Sequence, residues 1–302
     1  MTDSTNKDTP ALADAVTDTD LRTELEHFCK NNTSENIVAH FNIDSKYYEI
    51  EDLKCVSTHF ESNHSYNYKY SILHINIQGL RSSLEHLKHM INKLEQNDVY
   101  IDFILICETF LRGSDQELAQ TNDCSIAGYQ LVCKNRLFKA MGGVAIYVKK
   151  NHQFTVRNDL STFIEGEFET IFVEVKATPH NAIIGEIYRL PNTPEHLSLT
   201  RYNEVLSKVL SNKSHDIVMA GDQNFDYLKI NTHNHTAELF DLHISHGLVP
   251  TITRPTRITH STATLIDNIY IKLHNVEHIQ SGVLTTKLSD HMPVFAFYGK
   301  QF

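Results

Sequence analysis

The sequence predicts a layered α/β fold that contains at least one mixed or antiparallel β-sheet. Eight short apolar segments have the length and composition of strands, and three longer segments have the apolar period of helices. Helices and strands are interspersed, but several strands follow one another in the middle of the chain, which is typical of mixed or antiparallel pairing. The 302 residues, 41% of them hydrophobic, suffice for one large domain with a substantial core.

The predicted elements begin at residue 71. Strands are predicted at 71–77, 101–107, 142–148, 169–175, 182–188, 216–221, 264–271 and 292–298. The helix predicted at 81–96 has one apolar face, formed by Leu84, Leu87, Met90, Ile91 and Leu94. Further helical patterns lie at 198–211 and 235–246.

The first 70 residues differ in composition from the remainder. They are rich in Thr, Asp, Asn and Ser, have no clear periodicity, and carry −7 of the total net charge of −10. Segments with this composition bury too little apolar surface to offset the entropy of folding. We therefore predict an acidic, largely disordered extension over 1–70 and a single domain over 71–302.

Charge and cysteine content limit which cellular compartments and which classes of partner are compatible with the sequence. The five cysteines are odd in number and form no C-x-x-C pair, which favours a reducing compartment, nuclear or cytoplasmic, over a disulfide framework or a structural zinc site. No run of eighteen apolar residues occurs, so we expect no membrane partner. Residues 71–302 carry a net charge of only −3, which is compatible with a nucleic-acid partner.

The segment DIVMAGDQNFDYL, at 216–228, joins an apolar strand directly to a polar turn. Asp222 and Asn224 are two residues apart, so both side chains point to the same side if the segment is extended. A carboxylate and a carboxamide at the carboxyl end of a buried strand can form a polar site at the mouth of an α/β sheet. An ordinary turn explains the same residues, because Gly, Asp and Asn all favour turns.

Other predicted strands end in the same kinds of side chain. Glu108 directly follows one strand, and Asp267 is embedded in the apolar segment TLIDNIYI. A helix N-terminus or a turn would account for most of these residues singly, but a buried, unpaired carboxylate such as that of Asp267 is costly. Taken together the set suggests metal or phosphate binding; the candidates are Asn76, Glu108, Tyr188, Asn192, Asp222, Asn224, Asp267, Asp290 and His291.

The order of these motifs along the chain resembles a known superfamily. The motifs N-x-Q-G-L, ETFL, Y-R-L-P-N, GD-x-N, LIDNI and SDHMPV, within residues 71–298, are similar to those of the endonuclease–exonuclease–phosphatase superfamily. Within it, the chain looks most like the apurinic-type endonuclease domain of non-LTR retrotransposons. The resemblance implies a four-layer α/β sandwich of two packed mixed β-sheets flanked by helices.

The resemblance also implies an activity and a partner. The chain would be a metal-dependent endonuclease that nicks double-stranded DNA and leaves a 3′-hydroxyl for target-primed reverse transcription. A reverse transcriptase domain normally follows in such reading frames; because no Y-x-D-D motif occurs, we expect that domain to be absent from this chain. The alternatives are a phosphodiesterase or phosphatase of the same superfamily acting on RNA, lipid or inositol substrates, and a domesticated non-catalytic module.

Metal and phosphate ligands follow from the same resemblance. Glu108 would be the chief ligand of Mg²⁺ or Mn²⁺, hard ions that take oxygen ligands. Asn76 and Asp290 would complete the metal site, and Asn192 would contact the substrate phosphate.

The remaining candidates would carry out the chemistry. Asp222 would orient or deprotonate the attacking water, and Asn224 would hold the phosphate in line with it. Tyr188 would donate to a phosphate oxygen or to the leaving group. His291 would hydrogen-bond the scissile phosphate, with Asp267 determining its tautomer and favouring its charged form.

Three further positions bear on this interpretation. Gln78 occupies a position where apurinic-site repair enzymes of the superfamily typically have Asp, which argues against a two-metal site and against apurinic repair. Either Thr253 or Thr256 corresponds to a family threonine near the scissile strand. The segment THNHTAELFDLHISHG lacks a zinc-like spacing, so its histidines are interpreted as a solvated helix face.

Overall fold

The structure, a computed structural model, describes residues 32–54, 66–113, 123–139, 141–211, 213–259, 261–274, 278–286 and 288–301. Within these ranges, two seven-stranded sheets pack face to face, and a two-stranded ribbon of β12 (Arg257–Ile258) and β13 (Ala263–Thr264) lies apart from them. The helices are α1 (Glu35–Phe41), α2 (Leu80–Gln96), α3 (Glu195–Val209) and α4 (Asn234–His246).

The first sheet is mixed. In space its strands run β1 (Lys46–Tyr48), β15 (His278–Leu284), β16 (Val294–Gln301), β2 (Tyr66–Asn76), β3 (Phe103–Cys107), β5 (Val144–Lys149) and β4 (Tyr129–Lys134). β2 is parallel to β3 and antiparallel to β16. Alternate residues of these strands enter two different apolar clusters, because successive side chains in a strand point to opposite faces.

The second sheet is also mixed. Its strands run β11 (Val249–Pro250), β14 (Asp267–Lys272), β10 (Asp216–Asp222), β9 (Ala182–Arg189), β8 (Phe168–Val175) and β6 (Phe154–Val156), while β7 (Phe163–Ile164) pairs with β8. β10 is parallel to β9 and antiparallel to β14. This arrangement puts the carboxyl ends of β9 and β10 at the same edge as the start of β14.

The helices complete a four-layer sandwich. α2 packs on the outer face of the first sheet through the predicted apolar stripe, in one cluster with Leu73, Ile75 and Ile104. The buried apolar residues of α3 and α4 belong to the cluster that contains the second sheet and the space between the sheets. The predicted fold class is therefore confirmed, and the eight predicted strands and three predicted helices are all present. No helix within the described ranges combines the length and the apolar character needed to cross a membrane.

Residues 32–54 are ordered parts of the domain, in contrast to the acidic, largely disordered extension that we predicted over 1–70, and residues 66–70 belong to β2. β1 pairs parallel with β15, and Ile37 and Leu53 are fully buried. The backbone N–H of Ser45 donates to Oγ1 of Thr253 over 3.0 Å, and the N–H of Thr253 donates back to Oγ of Ser45 over 2.8 Å. The composition was misleading because these few apolar residues fill positions against a core formed elsewhere. Of the predicted extension, residues 1–31 and 55–65 lie outside the described residues.

One histidine of the predicted solvated helix face is buried. His243 of α4 is fully enclosed, with Nε2 2.7 Å from the hydroxyl of Tyr202 and Nδ1 2.9 Å from that of Tyr227. Burial lowers the pKa of His243 to about 3, so its ring is neutral. The prediction was wrong for this residue because its two partners lie elsewhere in the chain, Tyr202 on α3 and Tyr227 in the short 3₁₀ helix Tyr227–Lys229.

Candidate active site

The polar residues that end the strands meet at one edge of the sandwich. Asn76 is the last residue of β2, and Glu108 follows the last residue of the adjacent strand β3. In the second sheet, Asp222 ends β10 and lies in register with Tyr188 on one side and with Asp267 on the other. The register of both sheets thus brings side chains from distant parts of the chain to one place.

Asn76 joins the two sheets. Its Nδ2 donates to Oε1 of Glu108 over 2.9 Å and to Oδ2 of Asp222 over 3.0 Å. The hydroxyl of Tyr188 donates to the same Oε1 of Glu108, also over 2.9 Å. Asn76 is only 1% exposed, so these contacts form the floor of the site rather than its rim.

Close backbone packing places Asp222 and Asn224. A Cβ atom at Gly221 would lie 1.8 Å from the carbonyl oxygen of Ile187, so glycine alone allows β10 to approach β9 this closely. Asn224 has a left-handed backbone with φ of 52°, and its N–H donates to Oδ1 of Asp222 over 2.9 Å. The segment is therefore both a turn and part of the polar site.

A buried arginine supports that turn. The guanidinium of Arg189 donates to the carbonyl oxygens of Gln223 and Asn224 over 3.3 and 3.2 Å, and to that of Thr193 over 2.7 Å. It lies 4.4 Å from the ring centre of Phe225. Arg189 was not a candidate from the sequence, because all of its partners except the Ser198 hydroxyl are backbone atoms, which no side-chain motif reveals.

His291 and Asp267 form a close pair at the same edge. Nδ1 of His291 donates to the Asp267 carboxylate, at 2.9 Å from Oδ2 and 3.1 Å from Oδ1. The hydroxyl of Thr256 donates to Oδ2 of Asp267 over 2.6 Å, whereas Thr253 contacts Ser45. Of the two threonines left open by the sequence, Thr256 is the one at the site.

Two buried residues behind this pair were missed by the sequence analysis. Nε2 of His74 lies 3.4 Å from Oδ1 of Asp267, and its Nδ1 lies 3.1 Å from Oε2 of Glu186. The three residues are at most 1% exposed, and Oε1 of Glu186 has no hydrogen-bond partner among the described residues. The signal was available, since His74 and Glu186, like Asp267, are ionisable residues embedded in apolar strands.

The charges of the site divide its carboxyl groups into two kinds. Burial, together with the charge of Asp267, raises the pKa of Asp222 to about 7. Burial acts in the same direction on Asp267, but the charge and hydrogen bond of His291 hold the pKa of that carboxyl well below its usual range. Burial opposes protonation of His291, yet the charge of Asp267 raises the pKa of the imidazole to about 9.

The inner pair has the same character. Burial would lower the pKa of His74, but the charge of Glu186 and the hydrogen bond with Asp267 raise it to about 10. Burial raises the pKa of Glu186 to about 7 against the opposing charge of His74. A chain of four buried ionisable residues therefore runs from Glu186 through His74 and Asp267 to His291.

Oxygen atoms suitable for a hard cation are concentrated beside Asn76. Its Oδ1 is buried and has no hydrogen-bond partner among the described residues, while its Nδ2 holds the carboxylates of Glu108 and Asp222 next to it. This donor set fits Mg²⁺ or Mn²⁺, which prefer carboxylate and amide oxygens. Two further groups have ligand atoms within 4.8 Å of one another; they are Asp222, Asp267 and His291, and His74, Cys107 and Glu186.

Two predicted residues lie at the exposed side of the site. The Asp290 carboxylate accepts hydrogen bonds from Nε2 of Gln78 and from Nε of Arg257, the latter over 2.8 Å, and lies 3.8 Å from Nε2 of His291. Asn192 is exposed on the turn after β9, and no contact joins it to the buried cluster within the described residues.

Comparison with known proteins agrees with the fold. The sequence profile of the Endonuclease/Exonuclease/phosphatase family matches residues 73–291. No curated protein matches the sequence significantly.

Several solved structures are similar. The endonuclease domain of TRAS1, a telomere-specific non-LTR retrotransposon, has a TM-score of 0.54 at 16% identity, covering 76% of this chain and 98% of that one. The AP endonuclease LMAP from Leishmania major has a TM-score of 0.56 at 15% identity, covering 76% and 87%. TDP2 from D. rerio, complexed with a single-strand DNA product, has a TM-score of 0.55 at 12% identity, covering 76% and 99%. At these identities the likeness shows a common fold.

Proposed function

The chain belongs to the Endonuclease/Exonuclease/phosphatase family of hydrolases, and from that premise we propose that it is a divalent-metal-dependent DNA endonuclease. It nicks one strand of duplex DNA and leaves a 3′-hydroxyl. The observation that carries the proposal is that one residue, Asn76, contacts both Glu108 and Asp222, while the Asp267–His291 pair lies at the same edge. Hydrolysis of a phosphodiester needs a base, a cation and a hydrogen-bond donor to phosphate, and this edge supplies all three types of group.

Asp222 is suited to act on the attacking water. Its pKa of about 7 lies near neutral pH, where a general base combines a sufficient ionised fraction with a useful affinity for the proton. The N–H of Asn224 holds one oxygen of that carboxyl and Asn76 holds the other, so its orientation is determined before the substrate arrives.

His291 and Tyr188 are suited to meet the charge that develops on the phosphate. Nδ1 of His291 donates to Asp267, so Nε2 is the ring nitrogen that can donate to the substrate. The raised pKa of His291 keeps the ring protonated at neutral pH. Burial raises the pKa of Tyr188, so its hydroxyl remains a donor. His291 would donate to a phosphate oxygen or to the leaving oxygen. Tyr188, whose O–H donates to Glu108, would do the same by turning that O–H towards the phosphate.

Glu108 and Asn76 would hold the metal ion, with Asp290 at the solvent side. A bound Mg²⁺ or Mn²⁺ supplies positive charge that polarises the phosphate and stabilises the leaving oxygen. Asn76 orients the Glu108 carboxylate through a hydrogen bond and keeps its own Oδ1 free of other contacts among the described residues. These residues therefore prepare an oxygen-lined position for the ion.

Duplex DNA is proposed as the substrate because of the retrotransposon-like motifs and the similarity to the TRAS1 endonuclease domain. Gln78 contributes a neutral amide that donates to Asp290, where the repair enzymes of the superfamily typically have Asp. We therefore expect no strong preference for abasic DNA and assign a target-nicking role rather than repair.

The test is a nicking assay on supercoiled plasmid with and without Mg²⁺, followed by primer extension from the nick without prior end repair. Conversion to the open circle only with metal, and extension by a DNA polymerase, would support the proposal. Matched abasic and intact oligonucleotides test the repair alternative, which a large preference for the abasic duplex would establish. Hydrolysis of RNA, lipid or inositol phosphates without DNA cleavage would instead assign the alternative phosphodiesterase or phosphatase activity.

A further inference from the structure

The turn between β4 and β5 exposes an unusual amount of apolar surface. Of the five large hydrophobic side chains that are exposed among the described residues, three lie in this turn: Leu137 at 54%, Phe138 at 88% and Met141 at 64%. We call these three residues the apolar tip. Single exposed apolar residues are normal on protein surfaces, but a cluster of three marks a site of contact.

The apolar tip rises from the catalytic edge of the first sheet. Asn76 is in register with Cys107, Cys107 is in register with Val144, and Val144 is in register with Lys134. The hairpin that joins Lys134 to Val144 therefore turns at the same end of the sheet as Asn76. A substrate held at Asn76 and Glu108 would extend past this hairpin.

The hairpin is held in place at both ends of the tip. The Glu165 carboxylate accepts hydrogen bonds from the backbone N–H groups of Leu137, Phe138 and Lys139, over 2.5 to 3.0 Å. On the other side, the N–H of Phe110 donates to the carbonyl oxygen of Gly142 over 2.8 Å. The tip is therefore tied to the segment that follows Glu108.

The backbone of the tip is also held in an unfavourable conformation. Met141 has a φ of 59°, in the left-handed region that costs a residue with a side chain about 1 kcal/mol or more. Such a conformation persists only where surrounding contacts determine it, and it directs a large apolar side chain into solvent. The surrounding sequence of 129–143 contains three basic residues and no acidic residue.

Two of these basic residues differ in exposure, since Lys139 is exposed and Lys134 is half-buried. Arg136 is neutralised by Glu169, which also accepts from the N–H of Gly143 over 2.7 Å. Lys134 and Lys139 have no ion pair within the described ranges. The Glu165 carboxylate beside the tip is taken up by three backbone N–H groups. The hairpin thus combines an apolar end with two lysines, a combination that suits a phosphate backbone with stacked bases inside it.

We propose that the apolar tip is a wedge that inserts between base pairs of duplex DNA beside the scissile phosphate. The proposal rests on the proposed endonuclease function and adds the means by which a cleavage position is selected. Phe, Leu and Met are among the side chains that partly unstack base steps and kink a duplex. Because pyrimidine–purine steps unstack at the lowest cost, the tip selects such steps as cutting sites.

DNA fits the tip better than a second protein chain does. A stable protein interface buries roughly 800 Å² on each partner, with a contiguous apolar centre. Three side chains on one hairpin turn present far less than that. A base step needs only one or two inserted side chains, and the phosphates on either side are within reach of the lysines.

The test compares Phe138→Ser and the triple variant Leu137→Ser, Phe138→Ser, Met141→Ser with the wild-type protein. These side chains are exposed, so the substitutions leave the core intact. Tyr100→Ser is the matched control, because Tyr100 is 55% exposed but precedes β3 at the opposite edge of the sheet. Binding and unstacking are measured without divalent metal, using duplexes that carry 2-aminopurine at TA or at GC steps, and cut sites are mapped on plasmid with Mg²⁺.

We expect the wild-type protein and Tyr100→Ser to increase 2-aminopurine fluorescence at TA steps. Phe138→Ser should abolish the increase, weaken binding about tenfold with an unchanged salt dependence, and flatten the preference among cut sites. Equal fluorescence, affinity and cutting patterns for wild type and the triple variant would overturn the wedge. So would self-association that depends on Phe138, detected by sedimentation.

The experiment distinguishes failure of the wedge from failure of the proposed endonuclease function. If the wild-type protein unstacks the probe through Phe138 but nicks no plasmid, the wedge stands and the proposed endonuclease function fails. If it nicks plasmid with the same pattern as the triple variant, the function stands and the wedge fails.

Discussion

Asp222 and Asp267 lie opposite each other on the antiparallel strands β10 and β14, yet the pKa of Asp222 is raised and that of Asp267 is lowered. Nδ1 of His291 is 2.9 Å from Asp267 but 3.8 Å from Asp222, so the positive charge of the imidazole stabilises the Asp267 carboxylate more than that of Asp222. Burial then raises the pKa of Asp222 to about 7, and the negative charge of Asp267 adds to that effect. Asp222 is thereby suited to exchange a proton, and Asp267 is suited to remain charged.

We predict that Asp222→Asn and His291→Ala each lower the nicking rate by about 10² to 10⁴-fold. Asp222→Asn keeps the shape of the side chain and removes its basicity, and His291→Ala removes the donor at Nε2. Plasmid nicking is measured alongside thermal unfolding, which should change little for Asp222→Asn. The matched control is Asp241→Asn on the exposed side of α4. Near wild-type nicking by either site variant would refute the role assigned to that residue.

Glu108→Gln should raise the Mg²⁺ concentration that supports half-maximal nicking. Gln retains the hydrogen bonds with Asn76 and Tyr188 but lacks the charge that attracts the ion. The measurement is a Mg²⁺ titration of the initial nicking rate. Glu204→Gln, at an exposed position of α3, serves as the control and should match wild type. An unchanged titration for Glu108→Gln would remove Glu108 from the metal site.

The buried His74–Glu186 pair should show strong coupling in stability. His74→Gln leaves the buried Glu186 carboxyl without a counter-charge, which costs about 3–5 kcal/mol in comparable pairs. Glu186→Gln leaves His74 with only Asp267, 3.4 Å from its Nε2, and should also be destabilising. The double variant removes both, so its loss of unfolding free energy should be smaller than the sum of the two single losses. Urea unfolding of the four proteins measures the coupling. Simple additivity would mean that the two residues do not interact as a charged pair.

The segment 32–54 should contribute to stability, although its composition predicted that it belongs to a largely disordered extension. Ile37 and Leu53 are fully buried, so we expect Ile37→Ala and Leu53→Ala each to cost about 2–4 kcal/mol. Val156→Ala, at a position 41% exposed on β6, is the control and should cost far less. Urea unfolding measures the free energy of unfolding of each variant. Losses no larger than that of the control would mean that segment 32–54 contributes little to stability.

His243 should make the protein less stable in mild acid. Its pKa is about 3 in the folded state and roughly 6.5 when unfolded, so the unfolded chain binds more protons between these values. Its contribution to stability is therefore complete above pH 6.5 and lost as the pH falls towards 3, with about 2 kcal/mol lost between pH 7 and pH 5. Wild type and His243→Gln are unfolded in urea at both pH values, with His196→Gln, exposed on α3, as the control. A stability gap between wild type and His243→Gln that is independent of pH would contradict the neutral buried imidazole.

The long elements were predictable because each has its own period or apolar run. α2 has an apolar stripe along its whole length, and β3 and β10 are uninterrupted apolar segments. β1 and β15 were missed because their parallel pairing joins residues more than 230 positions apart and neither strand has an apolar run of its own. Their burial depends on what the rest of the fold provides.

The candidate site likewise contains residues that a local pattern predicted and residues that depend on distant partners. Asp267 was identified because it lies in a motif and because a carboxylate among apolar residues requires a partner. Glu186 lies in an equally apolar strand, but its partner His74 is 112 residues away, and neither residue lies in a superfamily-like motif. A period along one strand tells which residues share a face; it does not tell which residue of the opposite sheet they meet.

The outer strands of the two sheets have a consequence for solubility. Among the described residues, β1, β6 and β11 are only two or three residues long, so three of the four sheet edges offer little backbone for another chain to pair with. β4, with six residues, is the exception. Intermolecular strand addition and aggregation should therefore start at β4, and Gln130, exposed in that strand, is the position where a lysine would best suppress them.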